Sequence, residues 1–255
     1  MNQNFNHKPF ASGRVRALIT ILLLATGAVC GALSIIINFA LGGMLRDVGD
    51  LTAPDEIGEA LPELLYVGIA LLQFLVFIAT AVAFLMWLHR AYRNLRALGA
   101  MGLDTTPGWA VGYFFIPILN LFKPFQVMKE IWRNSTPGSE RQASFGGQSG
   151  ASFGGGYVRP GTPALIGWWW AFWIIATIAD RASSRAARMA RTIEGMMLAS
   201  WVSIASDALF IIAAVLAILL VKQIDEMQET KFRQMGLQGP PPPPENFDTQ
   251  WYETR

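Results

Sequence analysis

The chain is patterned as long uncharged apolar runs separated by short polar stretches. Ala17 to Leu45 is 29 residues without a charged side chain, and Leu64 to Leu88 is another 25. Ala164 to Ala179 adds 16, and Gly195 to Val221 adds 27 with Asp207 as its single charge. A helix rises about 1.5 Å per residue, so roughly 20 residues cross a hydrocarbon layer about 30 Å thick. We read the four runs as spanning helices, the third being the shortest. Isolated strands are excluded, because their backbone would be left unpaired in lipid.

A fifth stretch, Thr105 to Phe122, is apolar but broken by Pro107, Gly108, Gly112 and Pro117, and Lys123-Pro124 closes it. Proline removes a backbone donor and clashes with the preceding turn, so a continuous span is not expected there. A re-entrant or interfacial helix fits better, provided neighbouring helices cover the freed backbone. Basic residues favour the cytoplasmic side, and this gives a test of topology. With a re-entrant stretch, 15 Lys and Arg fall inside and 5 outside, whereas a fifth span gives 10 and 10. The expected fold is an all-α integral membrane protein with four transmembrane helices, a proline-broken re-entrant or interfacial motif, and both termini cytoplasmic. Lys8, Arg14 and Arg16 resemble the flank of a signal peptide, but the first apolar run is too long for a cleaved one.

Composition agrees with the pattern. Hydrophobic residues make up 53% and charged residues 15%, with a mean hydropathy of +0.35, which excludes an ordinary soluble domain. The net charge of +2 is too small to imply a polyanion, and no nucleic-acid partner is expected. Cys30 is the only cysteine, so no internal disulfide or cysteine-rich metal site can form. The valine before it does not fit a lipoprotein cleavage site.

The remaining segments divide the chain. Residues 1–16 form a cytoplasmic tail, and 17–134 hold two spans with an acidic outer loop and the motif region. Residues 135–163 are a Gly/Ser-rich linker containing the imperfect repeat ASFGG, which reads as a flexible tether. Residues 164–235 hold two further spans with a charged helical extension. Residues 236–255 carry Pro240 to Pro244, an extended polyproline stretch, followed by Phe247, Trp251 and Tyr252.

The most specific passage begins at Phe84. Trp87, Arg90, Asn94, Leu98 and Gly99 lie at helical spacing, followed by Pro107 and then Trp109-Ala110-Val111-Gly112. Ile116-Pro117-Ile118, Asn120-Leu121, Pro124, Val127 and Glu130-Ile131-Trp132 continue it. This passage resembles the bacterial family of unknown function numbered 4328, over about residues 66 to 228. Gly167-Trp168-Trp169-Trp170 and Ser206-Asp207 add to the likeness, while Tyr113-Phe114 and the Gly/Ser linker depart from it. The resemblance implies an architecture and a bacterial inner-membrane location, and it implies no activity. The residues themselves suggest a structural unit in which prolines break the helix and Asn120 caps or bridges the freed backbone. Tryptophans would sit at the interface, and Arg90 is expected to pair with Glu130.

Two further groups could carry chemistry. Asp207 lies mid-span, where an acid is costly and often functional. It forms either a proton or cation site, with Asn38 as a companion, or a polar contact that fixes packing. Arg181, Arg185 and Arg188 share one helical face and are expected to meet lipid headgroups or the acidic loop containing Asp47, Asp50 and Asp55. No metal-ligand spacing, phosphate loop or catalytic triad is present in the sequence, so no metal, no cofactor and no enzymatic activity are expected. The expected role is a non-catalytic scaffold or accessory subunit that binds membrane lipids and a protein partner or a second copy. A small transporter or channel using Asp207 is the alternative.

Overall fold

The computed structural model describes residues 9–47, 56–137, 164–189 and 192–237. It consists of α1 (Arg14–Asp47), α2 (Glu56–Ala97), α3 (Pro107–Gly112), α4 (Lys123–Ser135), α5 (Ala164–Met189) and α6 (Ile193–Leu237). Two short 3-10 turns, Tyr113–Phe115 and Leu119–Leu121, lie between α3 and α4. No strand occurs among the described residues. The Gly/Ser linker from 138 onward, the acidic loop at 48–55 and the proline-rich tail from 238 lie outside them.

Among the described residues, three stretches are long and apolar enough to cross a membrane: Arg14–Ala40 in α1, Val67–Ala97 in α2 and Met197–Gly236 in α6. They indicate a membrane location. The expected fourth, Ala164 to Ala179, does form helix, but α5 does not join this set. Its 16 uncharged residues run directly into Asp180, Arg181, Arg185 and Arg188, which dilute the apolar stretch.

Helix α6 is the hub, packing along both α5 and α1, while α1 also packs against α2. In the most apolar window of α6, 28% is buried inside the protein, against 6% in those of α1 and α2. At 42 and 45 residues, α2 and α6 are about 63 and 68 Å long, well over the thickness of a bilayer core. Both therefore carry a second, differently patterned segment beyond their apolar one.

Those segments build a compact head. Trp87, Leu88, Ala91, Tyr92 and Leu95 form a buried stripe on α2 that Leu98 continues just past its end, and Leu220, Val221, Ile224, Gln228 and Lys231 form its counterpart on α6. The spacing of three, four and seven residues puts each set on one helical face. Amphipathic α4 inserts Val127, Met128 and Ile131 between them, and Ile166 and Trp169 of α5 close the cluster. Away from the head the helices show large apolar side chains outward, including Phe39, Phe74, Phe77 and Ile178. Burial of apolar surface is thus concentrated at one end of the bundle.

Candidate functional site

Two polar constellations stand out, one in the head and one between the apolar helices. The head site is a node of buried amides. Asn94 Nδ2 donates to the Ala11 carbonyl at 3.0 Å and to Gln228 Oε1 at 3.3 Å. The Ala11 N–H donates to Asn94 Oδ1 at 3.5 Å. Gln228 Nε2 in turn donates to the Ala91 carbonyl at 2.9 Å and to Ser135 Oγ at 3.0 Å. Asn94 and Gln228 are both nearly inaccessible, so each bond replaces water that cannot enter. Four pieces of chain are tied together: the segment before α1, α2, α4 and α6. Nearby, Lys231 Nζ donates to the Asn134 carbonyl at 2.9 Å, and the rings of Phe10 and Phe232 stack with centroids 4.2 Å apart.

The proline-broken segment hangs on this head through specific bonds. Gly99 ends α2 with φ +80°, its N–H bonding the Arg96 carbonyl and the Ala100 N–H reaching back to Leu95. That pair of bonds is a Schellman motif, and it explains the Leu98-Gly99 dipeptide. Thr106 caps α3, its hydroxyl accepting from the Trp109 N–H at 3.3 Å, with Pro107 in the first turn where a missing donor costs nothing. His89 Nδ1 lies 3.0 Å from the Pro107 carbonyl oxygen. Ile116 is extended before Pro117, as steric contact with the ring requires, and the chain turns there. Pro124 sits in the first turn of α4. Trp109 is half exposed and lies against Tyr113. A side chain at Gly112 would meet the Trp109 ring at 3.4 Å. Trp132 packs against the core cluster.

Arg90 and Glu130 do not pair. Glu130 Oε2 accepts from the Tyr92 hydroxyl at 2.7 Å, and Oε1 accepts from the Asp104 N–H at 2.7 Å. Tyr92 also accepts from the Thr105 N–H at 3.2 Å, so α2, the 99–106 connection and α4 are joined through one phenol and one carboxylate. Neutral donors already satisfy the acid that the arginine was expected to meet. Arg90 instead stands near Arg16 and Arg93, with its buried Nε unbonded.

The second constellation is a cavity of about 640 Å³ bounded by α1, α2, α5, α6 and the proline-broken segment. Asp207 lines it, and the carboxylate atom Oδ2 is buried without a donor. Ser34 on α1 lies beside the Asp207 side chain, and Asn38 Nδ2 reaches Ser34 Oγ at 3.4 Å. Asn38 therefore meets Asp207 only through a serine. Asn120 also lines the cavity, and its buried Oδ1 has no partner, so its side chain does not bridge the broken backbone as expected. The structural bond at this point comes from Trp170, whose Nε1 donates to the Leu121 carbonyl at 3.1 Å.

Arg181 reaches the cavity beside Asp180, while Arg185 and Arg188 are exposed farther along α5. The acidic partners expected for these arginines lie outside the described side chains. Sequence reasoning did not single out Gln228 or Ser135 of the node, nor Gln73 and Thr177, which line the cavity. Gln228 had one usable signal, a neutral amide in register with Val221 and Ile224 inside an otherwise charged stretch. No group of three or more His, Cys, Asp or Glu able to hold a metal occurs among the described residues.

Comparison with curated proteins and with solved structures finds no match. The family model for the domain of unknown function DUF4328 matches residues 54–226, which take in Asn94, Asn120, Ser135 and Asp207 but not Ala11, Ser34 or Gln228. The chain, with its Trp87-to-Trp132 motif built into the head and Asp207 in the cavity, belongs to that family.

Proposed function

We propose that the chain is a four-span protein of the bacterial inner membrane that works as a non-catalytic scaffold or accessory subunit. It would bind lipids at its apolar flank and a protein partner or second copy at its head. The carrying observation is the amide node, which ties four chain segments together at one end, while the apolar helices leave most of their surface uncovered by protein. A preorganised surface loses little entropy on binding, which suits a docking platform.

Antiparallel packing supports four spans. Helix α5 starts in the head at Ile166 and Trp169, and α6 returns there at Leu220. Because α5 packs along α6, a bilayer crossed by α6 meets α5 as well. Arg181 and Arg185 can extend their charged ends to the far interface while their stems remain apolar. Exposed Phe115, Ile118 and Phe122 support an embedded or interfacial proline-broken segment. Arg16, Arg90 and Arg93 suit anionic headgroups, and the positive-inside tally supports a cytoplasmic head.

Purification in mild detergent from the native membrane tests this role. A stoichiometric partner or a stable homo-oligomer, lost when Gln228 is replaced by leucine, is the expected result. A monomer that never acquires a partner would refute it. Reporter fusions after residue 190 and at the C-terminus test the topology, with external and cytoplasmic readings expected.

The polar cavity favours a second reading, a small transporter or channel built on Asp207. Under that reading Asp207→Asn abolishes flux while leaving assembly intact. Unchanged flux, or loss of assembly alone, would exclude it.

A further inference from the structure

The cavity combines features that lipid packing alone does not require. Asp207 and Asn120, from different elements, both line it, and each has a buried side-chain oxygen without a donor, Oδ2 and Oδ1. An unsatisfied acceptor in an apolar surrounding costs free energy, so each is a place where a donor would bind favourably. Phe74, Phe77, Trp173 and Phe210 also border it, Phe74 and Phe77 at the rim, where more than half of each side chain is exposed on the lipid side. Aromatic faces attract cations as well as apolar groups. Asp180, Arg181 and Asp207 are the charged residues that line it, so the formal charge of the wall is one negative.

We propose that this cavity is a binding site for an amphipathic amine, an apolar cage or ring carrying one protonated nitrogen. The ammonium donates to Asp207 and Asn120, and the apolar body fills the space between the aromatic side chains. A volume of about 640 Å³ is far more than a bare ion needs and suits a compact organic molecule. A metal ion would leave the aromatic wall without a counterpart. The site stands whether or not its occupant crosses the membrane, so it is independent of both the scaffold and the transporter readings.

The test uses the full chain in lipid nanodiscs and three probes that share one cage: adamantylamine, adamantanol and adamantane carboxylate. Binding is measured by titration calorimetry at neutral pH. The amine is expected to bind at least about tenfold more tightly than the alcohol or the carboxylate. Asp207→Asn should weaken amine binding by about tenfold, and Asn120→Leu by about fivefold. Should Asp207→Asn fail to fold, Asn120→Leu and the space-filling Ala28→Phe carry the test, the latter removing binding of the amine. Equal binding of all three probes would mark a cavity that takes acyl chains. Preference for the carboxylate would assign the site to Arg181. Either result, absence of binding, or undiminished amine affinity in folded Asp207→Asn or Asn120→Leu would overturn the proposal.

Discussion

Asn94 shows how much a single side chain can determine. Its amide both donates and accepts, and its three bonds reach Ala11 and Gln228, 83 and 134 residues away. An aspartate there would match the shape and retain an acceptor. It would lose both donated bonds and turn an oxygen toward two other oxygens. Asn94→Asp is therefore expected to destabilise the protein by about 2–3 kcal/mol, the cost of buried polar groups left unpaired. Thermal unfolding in detergent measures it, and an unchanged midpoint would show that the node does not hold the head together. The same chemistry explains why the Arg90–Glu130 pair was misread. Opposite charges at compatible spacing are visible in a sequence, but competing neutral donors such as Tyr92 and the Asp104 N–H depend on how the chain folds back. Asp207 was legible as an acid with no place in lipid, whereas the cavity in front of it was not, because a void belongs to four helices at once.

At the scale of elements, the termini carry as much information as the interiors. Gly99 must be left-handed to close α2, whereas Gly68 lies inside the same helix with open space around it. One substitution at each position should therefore act with opposite sign. Gly99→Ala is expected to cost about 1–2 kcal/mol, since a Cβ disfavours that backbone region. Gly68→Ala should leave stability unchanged or raise it by at most about 1 kcal/mol. Unfolding midpoints of the two variants decide it, and equal losses would mean that the Schellman closure is not what α2 depends on. The long helices were legible because an uncharged run long enough to cross lipid has few other uses. The breaks at Pro107, Pro117 and Pro124 were legible for the same local reason, a ring that fixes φ and lacks a donor. α5 was the least secure element, and its shortfall comes from charges crowding one end of a short apolar run. The head was legible only in part: the Trp87-to-Trp132 passage reads as a structural unit, but the matching stripe on α6 lies in what sequence inspection reads as the charged extension of a span.

At the scale of the whole molecule, α6 passes through both constellations, so it could either couple them or only connect them. Asp207 and Gln228 are 21 residues apart on one helix, about 32 Å along its axis. They share no bonding partner: Ser34 faces the first, while Ala91, Asn94 and Ser135 surround the second. Groups so far apart normally contribute to stability independently, within about 0.5 kcal/mol. The double variant Asp207→Asn with Asn94→Asp should accordingly lose the sum of the single losses, as read from unfolding free energies in one detergent. Additivity fits a tied head carried on a membrane body, each doing its work separately. A deviation of 1 kcal/mol or more, about twice that margin, would mean that α6 transmits the state of the cavity to the head. The scaffold would then be a regulated one, with occupancy beside Asp207 deciding how firmly the node at Asn94 is closed.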